Sequence, residues 1–443
     1  MTLTAPTRFW PPSSSRPSRT VATTAGLSVT ALLLAGCAGS LSTGAGGEGA
    51  AEGVSYGASA EEYQAALQDL EPISLTYQSN ATGPERYFGQ REVAMAERVE
   101  ELSGGIVTVD VNWAGAIAPT AEVDDALADG RLDMASFSFS YEPKLYPVLN
   151  AVAESSVDGS PSPLTGELAS HAAMAETAWN TPEVHTELEE KGLTPLIPHV
   201  PGGATALACK EPVESVDDFR GKQILASSET QIAQLEALGA TPVSIDYTEV
   251  FDALQRGVLD CSFTAMTVHL GMGVLDVAPY VTLPVTTNFV LGPTAVLAGS
   301  SWEDLPLPVR QLVFDQMTDW SVDQHQGYYL YARDALEAVG EAGGEFLQLD
   351  PAADVRLQEV NAEVLAQVEA SSAFDGAAYL ERHEEAQSRW ADTAGDLGYT
   401  DAGTYADFAD WYEGDLTDLA SSGYLRDFYS VYGEEVAAAH RPE

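Results

Sequence analysis

The chain has 443 residues, 45% of them hydrophobic and 20% charged, a composition typical of soluble globular proteins and a length sufficient for two or three domains. Its 67 acidic residues outnumber its 20 basic residues, and the formal net charge of −47 argues against a nucleic-acid partner, because phosphate binding requires clustered Lys and Arg. The acidity predicts a solvated surface that stays soluble in salt, with an acidic pocket for a cationic ligand as the alternative.

Residues 1–36 have the organisation of a secretory signal peptide. Arg8, Arg16 and Arg19 precede an uncharged, apolar stretch over residues 21–34, and small residues follow it. The stretch ends in Leu-Ala-Gly-Cys at Cys37, which resembles the bacterial lipobox, in which the cysteine is lipidated and becomes the mature N-terminus. A lipidated Cys37 predicts anchoring to the outer face of the cell membrane, whereas an ordinary signal peptide that contains a Cys is the alternative.

The segment 37–72 is rich in Gly, Ala, Ser and Glu and has no aromatic residue before Tyr56. This composition predicts a flexible tether between the lipid and the folded protein. Beyond the signal peptide the sequence has no apolar run of 18 residues, so nothing in it predicts a membrane span.

The first folded elements predict an α/β protein. Residues 73–77 alternate between apolar and polar, as a strand does, and residues 85–102 follow with a helical spacing of apolar side chains. Gly104 and Gly105 end that helix, and alternation returns over residues 107–113. Strand, helix and strand in this order are typical of a partly parallel sheet.

An internal repeat predicts two similar lobes. Residues 123–133 (VDDALADGRLD) and 250–260 (VFDALQRGVLD) match at seven of eleven positions, and each copy is a short helix, a Gly stop and the start of a strand. The copies lie 127 residues apart, which is too long a period for a solenoid and suits two lobes with a sheet each. Chance similarity between two such units is the alternative.

Two α/β lobes would enclose a cleft, and ligands of open α/β sheets bind at the carboxyl ends of strands. Positions after the predicted strands therefore give the candidate ligand-binding residues. In the first lobe these are Asn80, Tyr87, Trp113, Phe137 and Phe139; in the second they are Ser227, Thr230, Phe263 and Thr264; and Asn288 and Phe289 lie where the chain returns to the first lobe. Each aromatic side chain among them has a place in a hydrophobic core as its alternative.

Cys209 and Cys261 remain after the predicted lipidation of Cys37. An even pair in an exported protein favours a disulfide over two buried free thiols. Nothing in the sequence predicts a metal or another cofactor, because two Cys without a nearby His pair do not make a zinc site.

Beyond Trp302 the pattern becomes helical, with a long helix and an aromatic C-terminal region that packs as helices on one lobe. The predicted architecture is an α/β, two-lobed fold like that of periplasmic binding proteins, with a cleft, a long connecting helix and a helical C-terminal extension. Its boundaries place lobe 1 at residues 73–204 and 285–305, lobe 2 at residues 205–284, and the helices at residues 306–443.

Several segments in order resemble the periplasmic solute-binding subunit of TRAP transporters (tripartite ATP-independent periplasmic transporters). They are EELSGGIV at 100–107, the ALxxGxLD unit ending at Asp133, PVESVDDFRGK at 212–222, LGATPV at 238–243, residues 249–260, and SWEDLP at 301–306. The resemblance covers about residues 73–345. It implies a lobed protein that closes over a small molecule and delivers it to a pair of membrane permease subunits.

The sequence departs from this family where the ligand carboxylate is bound. The family's Arg in the strand after PVESVDDFRGK corresponds to Leu225, and its frequent Asn corresponds to Thr264. Leucine cannot form the bidentate pair that Arg makes with a carboxylate. The resemblance therefore implies a neutral, zwitterionic or amine ligand, unless Arg86, Arg91 or Lys210 replaces the missing base.

Two other functions remain as alternatives: a lipoprotein that senses the ligand for a receptor, and an exported hydrolase. The sequence has no G-x-S-x-G and no H-E-x-x-H motif, so a non-enzymatic binding protein is predicted. A serine hydrolase site assembled from distant residues would escape such motifs.

Overall fold

The computed structural model describes residues 52–139, 142–245, 249–405 and 423–443. The predicted signal peptide, Cys37 and the first part of the predicted tether lie outside these residues. In the described ranges, no helix combines the length and the apolar composition needed to cross a membrane.

Strands and helices alternate along most of the chain. The strands are β1 (Ile73–Gln78), β2 (Val107–Asn112), β3 (Met134–Phe137), β4 (Thr194–Pro201), β5 (Thr205–Cys209), β6 (Gln223–Leu225), β7 (Thr241–Val243), β8 (Cys261–Ala265), β9 (Tyr280–Leu283), β10 (Pro293–Ala298) and β11 (Glu345–Gln348). The helices are α1 (Ala60–Leu67), α2 (Tyr87–Ser103), α3 (Val123–Ala128), α4 (Pro147–Glu154), α5 (Thr165–Trp179), α6 (Pro182–Glu189), α7 (Val216–Phe219), α8 (Glu229–Leu238), α9 (Val250–Arg256), α10 (Met266–Gly271), α11 (Leu307–Glu341), α12 (Pro351–Glu369), α13 (Gly376–Asp396) and α14 (Tyr424–Glu435).

The strands form two sheets, and each sheet is the centre of one lobe. The sheet of lobe 1 has the order β2-β1-β3-β10-β4, and the sheet of lobe 2 has the order β11-β9-β5-β8-β6-β7. The chain crosses from lobe 1 to lobe 2 between β4 and β5, and it returns between β9 and β10. The predicted two-lobed α/β fold is confirmed.

The internal repeat has the same structural role in both lobes. In each copy a Gly with positive φ follows the helix (α3 or α9), 76° at Gly130 and 75° at Gly257, and the next strand begins four residues after that Gly. The Asp that ends each copy accepts a hydrogen bond from the backbone N–H of the neighbouring parallel strand: Asp133 from Thr76, and Asp260 from Gln223, both at 2.8 Å. Each copy of the repeat therefore joins two adjacent parallel strands by the same hydrogen bond.

Helix α11 connects the lobes. Its first part packs in the core of lobe 1 with Leu312 and Trp320, and its last part packs in the core of lobe 2 with Ala335 and Val339. Helices α13 and α14 cover lobe 1, where Trp390 and Phe428 join the same core. The long connecting helix and the helical C-terminal extension agree with the prediction.

Two boundaries of the prediction are wrong. The predicted tether reaches residue 72, but α1 begins at Ala60 with a capping box between Ser59 and Glu62, and Tyr63 and Leu67 are buried in the core of lobe 1. A Ser followed three residues later by Glu is a signal for the start of a helix. The Gly- and Ala-rich composition of residues 37–72 led to the prediction of a tether instead. The region 306–443 was predicted to be helical, but β11 extends the sheet of lobe 2 by pairing with β9.

The predicted disulfide is present. Strands β5 and β8 are antiparallel neighbours with Cys209 directly opposite Cys261, and the two Cα atoms are 4.1 Å apart. The bond links two strands of lobe 2 that are separated by 52 residues of sequence.

We expect the double substitution Cys209→Ala and Cys261→Ala to lower the free energy of unfolding by roughly 4 kcal/mol, because the cross-link restricts the unfolded chain. Urea denaturation of the oxidised protein and of the variant measures this difference. Reduced wild-type protein serves as the control and should unfold like the variant. Equal stability of the oxidised and reduced proteins would contradict the expectation.

Candidate functional site

The two chain crossings between the lobes lie side by side. The backbone N–H of Gly202 in the first crossing donates to the carbonyl of Gly292 in the second, at 2.6 Å. A Cβ at Gly203 would lie 2.7 Å from the ring of Tyr328 on α11, so only glycine allows this approach. The Tyr328 hydroxyl in turn donates to the carbonyl of Pro201 at 2.7 Å.

Side chains from both lobes and from α12 satisfy the backbone of the second crossing. Asn361 of α12 donates to the carbonyl of Asn288 at 2.8 Å and to the hydroxyl of Thr287 at 2.9 Å. The backbone N–H of Leu291 donates to Ser156 of lobe 1 at 3.0 Å. Thr287 and Leu291 are buried and Asn288 is half-buried, so these bonds replace bonds to water.

A cavity of about 170 Å³ lies beside the crossings. A smaller space of about 30 Å³ shares six lining residues with it, Asn288 and Tyr405 among them, and Glu167, Ser170 and His171 line this smaller space only. We call the two spaces together the hinge cavity. Lobe 1, both crossings, lobe 2 and the C-terminal extension all contribute to its wall, which consists of Ser160, Pro161, Ser162, Glu167, Ser170, His171, Gly202, Ala204, Leu283, Pro284, Val285, Asn288, Leu291, Gln348, Gly403, Thr404 and Tyr405.

The C-terminal extension is attached to the cavity through Asp401. Helix α5 begins after Leu164, which has no side-chain cap of its own. The Asp401 carboxylate accepts from the backbone N–H groups of Leu164 at 2.9 Å and Thr165 at 3.1 Å, and from the Ser162 hydroxyl at 3.0 Å. A residue some 240 positions away in sequence thus serves as the N-cap of α5.

Four residues later, Tyr405 extends from the extension into the space between the lobes. Its ring belongs to the hydrophobic core of lobe 2, and its hydroxyl donates to Glu167 on α5 of lobe 1. Burial raises the pKa of Glu167 to about 7, the Tyr405 hydrogen bond opposes that rise, and the nearby Asp401 adds to it. Tyr405 therefore links the two lobes through a buried carboxyl group.

Two further polar groups of the cavity are buried on α5. Ser170 and His171 are 3% and 6% exposed, and neither the Ser170 hydroxyl nor Nε2 of His171 has a hydrogen-bond partner among the described residues. Burial lowers the pKa of His171 to about 3, so its ring is neutral. Buried polar groups without partners are uncommon in folded proteins, and these two border a cavity that can hold one.

None of the described residues that line the cavity is a Lys or an Arg. Of the bases expected to replace the missing Arg, Arg86 is exposed at the start of α2 and Lys210 follows β5 at the far end of that strand. Arg91 is buried but forms an ion pair with Glu92. Leu225, which was predicted to stand at the position of the family's Arg, is 4% exposed and lies in the lobe 2 core together with Tyr405.

The predicted site residues are distributed over several environments. Asn288 lines the hinge cavity. Thr230 at the start of α8 donates to Glu154 of α4 at 3.2 Å and so joins the lobes at another point. Tyr87 donates to Asp334 of α11 at 2.6 Å.

The remaining predicted residues do not line the hinge cavity. Asn80 and Ser227 are exposed, and Trp113 and Thr264 are half-buried. The four Phe side chains are buried in hydrophobic cores: Phe137 and Phe139 in lobe 1, and Phe263 and Phe289 against each other in lobe 2. Their role in ligand binding stays a prediction.

Glu167, Ser170 and Tyr405 were not among the predicted residues. The predicted residues follow strands, whereas these three lie on helix α5 and on the C-terminal extension. Acidic residues within a helix of mostly apolar and small residues, as Glu167 and Glu176 are in TGELASHAAMAETAW, were the available signal. No pattern in the sequence points to Tyr405.

The sequence profile of the family described as bacterial extracellular solute-binding protein, family 7 (DctP) matches residues 79–372. Among curated proteins, the C4-dicarboxylate-binding periplasmic protein DctP of Rhodobacter capsulatus is 27% identical over 318 residues, covering 68% of this chain and 92% of the relative. The ectoine-binding periplasmic protein TeaA of Halomonas elongata is 28% identical over 161 residues, covering 35% of this chain and 45% of the relative.

Solved structures share the fold. A TRAP periplasmic solute-binding protein from Bordetella bronchiseptica with bound mandelate has a TM-score of 0.61 at 19% identity, covering 72% of this chain and 99% of that protein. The pyroglutamic-acid-binding receptor DctP7 from Bordetella pertussis has a TM-score of 0.58 at 19% identity, with coverage of 70% and 99%.

We expect the stability of the wild-type protein relative to Glu167→Gln to fall as the pH rises. The carboxyl holds a proton in the folded state up to about pH 7, but in the unfolded state only up to about 4.5. Between these values folding takes up a proton, so rising pH opposes folding, by roughly 3 kcal/mol in total. Glutamine at position 167 has no such proton to take up.

Urea denaturation of both proteins across this pH interval measures the effect. Glu189→Gln, an exposed change on α6, is the matched control and should follow the wild type. A stability difference between wild type and Glu167→Gln that stays constant with pH would contradict the raised pKa.

Proposed function

The chain belongs to family 7 of the bacterial extracellular solute-binding proteins, and on that premise we propose that it captures a small organic molecule between its lobes for a TRAP-type secondary transporter. The hinge cavity carries the proposal, because both lobes and both crossings contribute to its wall. The relative from Rhodobacter capsulatus is named for C4-dicarboxylates, and the related Bordetella structure holds mandelate, which supports a small organic solute. Capture and release involve no catalytic step.

Binding between the lobes would work by shifting a conformational equilibrium. Two narrow crossings and α11 join the lobes, an arrangement that permits hinge motion. A solute that contacts both lobes at once stabilises the closed state by the free energy of the contacts made only there. The Thr230–Glu154 hydrogen bond is one contact between the lobes that opening would break.

The solute would be held without the Arg–carboxylate pair of the family. Leu225 is part of a hydrophobic core, and the three alternative bases lie away from the cavity or are paired. The hydroxyl, amide and carboxyl groups around Asn288 supply hydrogen bonds instead. Their number suits a small ligand that needs an apolar wall and a few oriented polar contacts.

The lipobox supports a location on the outer face of the cell membrane. A lipid at Cys37 would hold the mature protein near its permease, and the described fold begins soon after. The same fold and anchor would also serve ligand sensing for a receptor.

We expect amines, zwitterions and neutral solutes to raise the melting temperature more than simple C4-dicarboxylates do, because no Lys or Arg lines the cavity in the described part of the chain. A thermal-shift screen of acids, amines, amino acids and sugars tests this, with small-angle scattering to detect closure of the lobes. A strong and selective shift with succinate or malate would contradict the expectation about the ligand. Absence of any bound solute, both in the screen and in native mass spectrometry of the purified protein, would contradict solute capture itself.

We expect Cys37→Ser to move the protein from the membrane fraction to the soluble fraction, because the substitution removes the site of lipidation. Detergent phase partitioning and metabolic labelling with palmitate measure the change in the native host. A matched substitution of the neighbouring Ser40 should leave the protein in the membrane fraction. A wild-type protein that is exported but unlabelled would contradict the lipobox.

A further inference from the structure

Among the described residues, the hinge cavity is lined by one acidic side chain, Glu167, and by no Lys or Arg. The carboxyl of Glu167 is buried on α5, the cavity residues around it carry hydroxyl, amide and neutral imidazole groups, and the Asp401 carboxylate lies nearby. An anionic ligand placed here would lose its hydration next to a carboxyl group and gain no opposite charge. Burial of an unpaired charge is costly, so the cavity disfavours a carboxylate on its own.

The helix terminus at the cavity is also closed to an anion. Backbone N–H groups at the start of a helix such as α5 are a common binding site for carboxylates and phosphates. Here the Asp401 carboxylate from the C-terminal extension already accepts from the N–H groups of Leu164 and Thr165. The extension therefore fills the one feature of α5 that would attract a negative ligand.

The same cavity is well prepared for a hydrogen-bond donor with positive charge. Tyr405 donates to one oxygen of Glu167 and holds the carboxyl in place, which leaves further acceptor positions on that group. The Ser170 hydroxyl, 3% exposed and without a partner among the described residues, borders the same space. An ammonium group beside Glu167 favours the ionised form of its carboxyl, and hydrogen bonds between an ammonium group and a carboxylate are about twice as strong as neutral ones.

We propose, building on the proposed function, that Glu167 and Tyr405 form the recognition pair of the hinge cavity and that the captured solute carries an ammonium group. Glu167 accepts from the ammonium, and Tyr405 orients Glu167. A zwitterion satisfies the requirement as well as a simple amine does. The C-terminal extension lies beyond the part of the chain that matches the family profile, so this chain adds a wall and a specificity residue of its own.

Three probes of matched size test the charge preference: n-butylammonium, 1-butanol and butyrate. Thermal-shift titrations give the apparent Kd of each probe for the full-length mature protein. We expect butylammonium to bind at least ten times more tightly than butyrate. Glu167→Gln should weaken butylammonium binding roughly ten- to hundredfold, the loss typical of a hydrogen bond to a charged group.

Two further variants make the test specific. Tyr405→Phe keeps the wall of the cavity and the carboxyl, so it should retain the preference for butylammonium at reduced affinity. Glu189→Gln changes the net charge equally but lies on the exposed side of α6, and it should bind as wild type does.

Equal affinities for the three probes, including no binding of any, would overturn the assignment, as would butylammonium binding that survives Glu167→Gln unchanged. Tight butyrate binding would overturn it while leaving the proposed function intact, because the cleft would still capture a small solute. The proposed function fails separately, when no solute is found in the screen or retained on purification.

Discussion

The crossings between the lobes impose the constraint on which the rest of the structure depends. Two irregular backbone segments run side by side, and much of the second one, at Thr287 and residues 289–291, is buried, so its polar groups need partners within the protein. Gly202 and Gly292 bond to each other, and Tyr328, Asn361 and Ser156 supply bonds from three separate elements. Helices α11 and α12 are therefore placed on the crossings as much as on the sheets, and the space left beside them is the hinge cavity.

The C-terminal extension changes the chemistry of that space. Asp401 caps the N-terminus of α5. The Tyr405 hydroxyl donates to Glu167, and the Tyr405 ring packs in the core of lobe 2. A segment outside the family profile thereby touches both lobes at the point where a solute would bind. The N-terminus of α5 carries partial positive charge and would attract the carboxylate of a ligand. The Asp401 carboxylate of the protein already occupies that position.

Much of the fold could be predicted from local patterns. The repeat of residues 123–133 in residues 250–260 predicted two lobes. The structure shows why the segment is repeated: the Asp that ends each copy, Asp133 or Asp260, accepts the same hydrogen bond from a neighbouring strand. The aromatic candidates at strand ends were harder to place, because apolar side chains there fill a core as readily as they line a cleft. Phe263 and Phe289 are examples, because they were predicted to line the cleft but pack against each other in the core of lobe 2.

The sequence by itself determined the family and the number of lobes, because these rest on short local motifs, and an even pair of Cys in a chain with a predicted export signal was enough to predict the disulfide. Only the tertiary structure decided which groups surround the cavity. Glu167 and Tyr405 are 238 residues apart, and Asp401 is about as far from the helix that it caps. No local pattern encodes such contacts, since they depend on how α5, the crossings and the C-terminal extension pack together to satisfy buried polar groups.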